Sequence, residues 1–171
     1  MQASKSLNLA KIALFSAFIA VCSWVTIPLG AFPVTLQSFA IWLCLRTLGG
    51  AKGSLSVLVY ILLGACGLPV FSGFGAGLGA VFGPTGGFIF GFLPFALIYW
   101  LFERYKGCFW KMILCLAVLY VCGLAWYALN FGNFKGMLLS TAICILPDIL
   151  KLFTAEKLSQ RLGKIQIFKN K

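Results

Sequence analysis

The chain has 171 residues, of which 61% are hydrophobic and only 10% charged, with a mean hydropathy of +1.01 and a net charge of +11. A water-soluble domain of this size cannot hide so much apolar surface, so the composition excludes a soluble enzyme and puts the chain in a lipid bilayer. The fourteen basic residues are spread along the sequence instead of forming a basic domain, which fits membrane topology and not nucleic acid.

Six apolar runs occur in chain order: Ile12 to Ile27, Leu36 to Leu48, Leu55 to Val70, Phe88 to Phe102, Met112 to Leu129 and Met137 to Phe153. Each is read as a transmembrane helix, which predicts an all-α membrane protein of six spans forming one domain over residues 1–171. The first run, with Lys5 and Lys11 ahead of it, has the outline of a signal peptide, but the five further runs identify it as a retained span. With the N-terminus in the cytoplasm, twelve basic residues fall on the cytoplasmic side, Lys135 alone falls outside, and Lys151 lies within the sixth run. That bias predicts that both termini are cytoplasmic.

The predicted outer connections, Pro28 to Gln37 and Gly67 to Gly87, carry no charge and are rich in glycine, proline and aromatic residues. Backbone of that kind is tolerated at membrane depth where protein buries it or where it lines a cavity, so these loops are expected to fold over the bundle as a lid or pocket wall. Within the second, "GFGAGLG" has no strand before it and no acid at the expected distance after it, and the chain has no G-x-x-x-x-G-K-[ST]. There is accordingly no nucleotide site, and any ATP-driven work falls to a partner. Seven cysteines lie almost wholly in apolar runs, with no C-x-x-C and no histidine, so they read as small hydrophobes and no metal site is expected.

The sixth run contains "ILPDILK", Ile145 to Lys151. Of the three acids, Glu103 and Glu156 are placed at cytoplasmic ends and Asp148 alone lies within a span, where an ionised carboxylate costs at least about 2.5–3.5 kcal/mol unless it meets a partner, a cavity or a ligand. Lys151, three residues on, is on the same helical face and supplies a partner. Pro147 removes the N–H that would bond the Ile143 carbonyl and is expected to bend or loosen the helix there. Carboxylate, ammonium and freed carbonyl together suit a ligand with both donors and acceptors; an ion pair that only fixes helix packing is the alternative. On the first span, Ala13 and Ala17, extended by Ala10 and Ala20, form a small-residue surface for close approach of another span or of a partner subunit.

"PVTLQ" (Pro33 to Gln37), "GLPVF" (Gly67 to Phe71), "GPTGG" (Gly83 to Gly87) and "PDILK" (Pro147 to Lys151) occur in this order. With these motifs the sequence resembles the biotin-specific substrate-binding subunits of energy-coupling factor transporters, the BioY family, over about Lys11 to Leu158. The resemblance implies a six-helix protein that captures biotin from outside and joins a transmembrane coupling subunit and two ATPases, with Ala13 and Ala17 facing the coupling subunit. It matches Asp148 and Lys151 to the family's ligand-binding acid and lysine, with Gln37, Ser72 and Gly73 as further substrate-binding residues; the chemistry suits both charged residues to the ureido group of biotin, with Lys151 on the valerate carboxylate as the competing assignment. Phe71, Phe74 and Trp126 would wall the apolar bicycle, and the carboxylate would point outward to glycine-rich backbone or Lys135. Ser72 is the only hydroxyl between Phe71 and Thr85, a departure from a loop carrying an amide side chain. Biotin is then the cargo, with no cofactor and no catalytic residue. The alternative reading is a free-standing secondary transporter coupled to protons through Asp148; an intramembrane enzyme is disfavoured by a single buried acid and no histidine.

Overall fold

The computed structural model describes residues 2–29, 32–105, 108–132 and 134–162. In chain order these form α1 (Gln2–Trp24), β1 (Thr26–Leu29), β2 (Phe32–Thr35), α2 (Gln37–Leu48), α3 (Gly50–Ala65), a 3₁₀ turn (Ser72–Phe74), α4 (Gly77–Val81), α5 (Gly86–Leu101), α6 (Cys108–Phe131) and α7 (Phe134–Leu162). Six of these helices coincide with the six apolar runs, and the five-residue α4 is an addition inside the glycine-rich connection. Two regions, Lys5–Trp24 and Phe109–Phe131, are long and apolar enough by themselves to cross a membrane; Gly50–Ala65 and Gly86–Leu101 are apolar but shorter. The third helix begins and ends five residues earlier than the run Leu55 to Val70. Its first amide, on Gly50, is bonded by the Glu103 carboxylate at 3.0 Å, and its end turns through Gly67 at φ 101°.

The first connection was expected as a loop but forms an antiparallel hairpin, with Thr26 opposite Thr35 and Leu29 opposite Phe32. Prolines at 28 and 33 hide this from a propensity reading, yet in a two-stranded ribbon a missing N–H is tolerated because each strand is an edge. α7 passes Pro147, and α5 passes Pro94, as continuous helices. The Lys135 side chain, Gly30, Ala31, Lys106 and residues 163–171 lie outside the described set.

The helices pack chiefly as α5 on α6, α2 on α7, α1 on α3 and α3 on α5. Trp42, Tyr60, Phe95 and Tyr99 are wholly or almost wholly buried at the centre, with Trp42 edge-on to Phe95 and Tyr99 at ring distances of 6.2 and 5.3 Å. The α5–α6 contact depends on glycine. A Cβ on Gly87 would lie 2.4 Å from the Trp126 Cβ, so only a missing side chain permits this approach, as is common where lipid provides no hydrophobic drive between helices.

α1 turns Ile12, Phe15, Ser16, Ile19 and Ser23 inward, where the Ser16 hydroxyl reaches the Ser56 carbonyl of α3 at 2.8 Å. Ala10, Ala13 and Ala17 are exposed on the opposite face, while Ala20 is buried. The small surface is therefore not consumed by packing within the chain. The bundle also has two unlike ends. At one, Lys52 bonds Asn8, Arg46 pairs with Glu156, and the Glu103 carboxylate caps α3. At the other lie the hairpin and the glycine-rich connection. Among the described residues, Cys22, Cys44, Cys115 and Cys144 are buried thiols and no group of side chains has the makings of a metal site.

Candidate functional site

A cavity of about 810 Å³, counting its open mouth, lies among α2, α5, α6 and α7, with β2 and the glycine-rich connection contributing to its wall. Its polar side is Thr35, Gln37, Ser38 and Asp148; Phe88, Ile89, Phe92 and Leu119 form an apolar side. On α7 the lining residues Thr141, Cys144 and Asp148 are spaced by three and four, which aligns them along one helical face.

Asp148 is held by three donors. Its Oδ1 accepts from Lys151 Nζ at 2.9 Å and Ser38 Oγ at 3.1 Å, and its Oδ2 accepts from the Tyr120 hydroxyl at 2.7 Å. Lys151 also donates to the Thr35 carbonyl at 2.8 Å, which ties α7 to β2. A carboxylate has about four lone-pair sites and an ammonium three protons. Asp148 thus retains one acceptor site, on Oδ2, and Lys151 one donor. Each side chain is 14% exposed; Asp148 lines the cavity, whereas Lys151 stands behind it and is not among the lining residues.

Gln37 and Ser72 are oriented by similar bookkeeping. The Tyr60 hydroxyl must give its proton to the Val70 carbonyl, 3.1 Å away, so it accepts from Gln37 Nε2 at 2.6 Å and turns the Gln37 amide oxygen away from itself. Thr26 gives its proton to the Ser23 carbonyl, so the 3.1 Å contact between Thr26 and Ser72 has Ser72 donating and leaves Ser72 its lone pairs. Both residues line the cavity as acceptors. Phe71 lines it too, 2% exposed and edge-on to Tyr60; a Cβ on Gly64 would fall 2.1 Å from its ring, so Gly64 makes the seat for this side chain. Trp24 Nε1 to the Pro69 carbonyl at 2.8 Å, and Ser23 to the Val70 carbonyl, fasten the connection to the end of α1.

The remaining expected site residues fall elsewhere. Phe74, at φ 61°, is 62% exposed and stacks on Trp24 at 5.1 Å, outside the cavity lining. Gly73 takes φ 64° beside it and serves the turn, with open space around its Cα. Trp126 donates to the Gly83 carbonyl at 3.1 Å and packs on Phe82 and Phe90, bracing the connection from behind and not lining the cavity. Sequence reading missed Ser38 and Tyr120. The only available signal was that an intramembrane carboxylate needs several donors and hydroxyls inside apolar runs are the natural source.

The comparisons with known proteins agree with one another. The profile described as the BioY family matches residues 1–166. The chain belongs to the BioY family. It is 36% identical to "Biotin transporter BioY" of Thermotoga maritima, the alignment covering 94% of this chain and 98% of that protein. It is 37% identical to "Probable biotin transporter BioY" of Pyrococcus horikoshii over 92% of this chain and 97% of that one. The fold matches the crystal structure of the S-component for biotin from an ECF-type ABC transporter, with a TM-score of 0.86, 24% identity, and coverage of 99% of this chain and 97% of that one. Membership in this family makes the chain a membrane protein.

Proposed function

We propose that the chain captures biotin in this cavity and serves as the substrate-specific subunit of an energy-coupling factor transporter. It is a transport protein and not an enzyme. The observation that carries the reading is Asp148, one hydrogen bond short and backed by Lys151, at a cavity with an apolar wall. Biotin's ureido group offers two N–H donors and one C=O acceptor; one N–H meets the open site on Asp148 and the C=O meets the remaining proton of Lys151. The second N–H goes to Gln37 or Ser72, both of which present lone pairs. Phe71, Phe88 and Phe92 cover the bicycle.

In this reading α1, α2, α3, α5, α6 and α7 cross the cytoplasmic membrane of a bacterium, with both termini inside and the cavity mouth outside. Clustering of Arg46, Lys52 and Lys111 at the bundle end opposite the cavity, on the side of the charge excess, supports that orientation. The exposed Ala13–Ala17 surface docks against the transmembrane coupling subunit, which carries two ATPases. Titration of the purified chain with biotin, and uptake by vesicles with and without the ATPase module, tests this. Absence of binding refutes the reading, and uptake that runs on a proton gradient without ATP replaces it with secondary transport.

A further inference from the structure

Tyr60 is not a lining residue of the cavity, yet it holds two residues that are, Gln37 and Phe71. It stands on α3 with its side chain completely buried, where a phenol hydroxyl needs partners. Its proton goes to the Val70 carbonyl at 3.1 Å, at the start of the glycine-rich connection, and its ring meets Phe71 edge-on at 5.6 Å. Its oxygen accepts from Nε2 of Gln37, the first residue of α2, at 2.6 Å. Ser23, also fully buried, contacts the same Val70 carbonyl but has a second acceptor in the Ala20 carbonyl at 2.7 Å, and a hydroxyl has one proton to divide between them. The Val70 carbonyl therefore relies on the Tyr60 proton.

This chain of bonds has a direction, and the direction fixes the Gln37 amide. If the amide turned over, Oε1 would face the Tyr60 oxygen, and the contact would survive only if Tyr60 withdrew its proton from Val70. In a dry interior that exchange gains nothing at Gln37 and leaves the Val70 carbonyl short of a bond. Nε2 is thus held toward Tyr60, and Oε1 is turned to the cavity side, where no donor among the described residues reaches it. Ser72, the other acceptor at the wall, has a single 3.1 Å hydroxyl contact to Thr26 and sits in the turn beside Gly73. We infer that Tyr60 is a positioning residue that makes Gln37 a fixed acceptor, so that Gln37 and not Ser72 takes the second N–H of the ligand. The inference rests on the biotin reading and adds to it a determinant of specificity outside the cavity: a ligand without that N–H meets an amide that does not turn to suit it.

The experiment measures the affinity of biotin and of its two ureido N-monomethyl derivatives for wild type, Tyr60→Phe, Gln37→Met and the double variant. Tyr60→Phe keeps the ring against Phe71 and removes only the hydroxyl. It should weaken biotin about fivefold, the size of one neutral hydrogen bond, and the loss should vanish in the Gln37→Met background because Tyr60 acts through Gln37. The derivative methylated at the nitrogen facing Gln37 lacks the N–H in question, so Tyr60→Phe should leave its affinity nearly unchanged, while the other derivative should lose as much as biotin does. Where a methyl group blocks entry, the biotin cycle decides alone. An equal loss for biotin in the wild-type and Gln37→Met backgrounds would mark Tyr60 as packing for the connection and overturn the inference, as would wild-type biotin affinity of Tyr60→Phe or the same loss for all three ligands. Wild-type protein that binds no biotin overturns the biotin reading itself, a result distinct from failure of the positioning role.

Discussion

Replacing Asp148 with asparagine removes the charge while keeping the shape, and the contacts around the side chain set the cost. Lys151 would keep its bond to the Thr35 carbonyl but face no counter-charge, at 14% exposure. Breaking a fully buried pair costs about 3–5 kcal/mol, and partial exposure with the surviving bond reduces this to roughly 2 kcal/mol. The Ser38 bond survives, since the asparagine carbonyl still accepts, and the Tyr120 hydroxyl rotates to accept from the new amide. Binding suffers separately: a hydrogen bond to a charged group contributes about 1.5–3 kcal/mol, so affinity for biotin should fall at least about tenfold. Thermal unfolding in detergent and calorimetric titration read the two effects apart. The double variant Asp148→Asn with Lys151→Met should recover stability, because an apolar side chain replaces the stranded ammonium, and should still bind weakly. Asp148→Asn at wild-type affinity would refute the ligand role, and a double variant no more stable than the single one would refute the claim that Lys151 is the stranded charge.

Four other contacts carry expected outcomes of their own. Gly64→Ala should lower thermal stability by roughly 1–3 kcal/mol and weaken biotin binding, because its Cβ displaces Phe71; Leu63→Ala, with its large exposed side chain, is the control. Ala17→Trp should leave biotin binding by the isolated chain unchanged and abolish co-purification with the coupling subunit. Glu156→Gln should lower stability by roughly 2–3 kcal/mol with biotin affinity unaltered, and a compensating Arg46→Met should restore most of it, as read by thermal melts. Gly73→Val should slow biotin capture in stopped-flow fluorescence, since a β-branched residue at φ 64° costs about 1–2 kcal/mol, whereas Gly75, at φ −59°, carries no such demand.

The parts legible in the sequence are those written by a strong local rule. Apolar runs must be helical in lipid, and six of them became α1, α2, α3, α5, α6 and α7. Asp148 and Lys151 met at 2.9 Å because three residues along a helix is a fixed geometry that tertiary packing does not alter. Contacts between distant segments had no such rule. Tyr120 looks like any aromatic residue in an apolar run, and Ser38 like a helix-start residue, until α6 and α2 are brought beside α7. Phe74 and Trp126 illustrate the converse, because an aromatic residue near a predicted pocket suggests a wall, yet one stacks on Trp24 and the other braces Gly83. Arg46 and Glu156, 110 residues apart in sequence, form a bidentate pair that only the α2–α7 seam brings together.

That seam carries two of the chain's three carboxylates, and hydrogen-bond capacity separates their roles. Along α2, Ser38, Trp42 and Arg46 recur every four residues, and along α7 they meet Asp148 and Glu156, with Leu152 and Ala155 fully buried between the two levels. Glu156 accepts from Arg46 Nε at 2.7 Å and Trp42 Nε1 at 3.2 Å on one oxygen, and from Arg46 Nη2 at 2.6 Å and Gln160 Nε2 at 3.2 Å on the other. Four donors fill about four lone-pair sites, so nothing remains for a ligand. Asp148 has three donors and borders a cavity. A buried carboxylate left one bond short is unfavourable for stability alone, because closing α2 and α7 with apolar side chains would hold the bundle as well or better. The saturated acid therefore acts in packing, and the unsaturated one is, on the proposed function, the acid that takes a donor from the ligand.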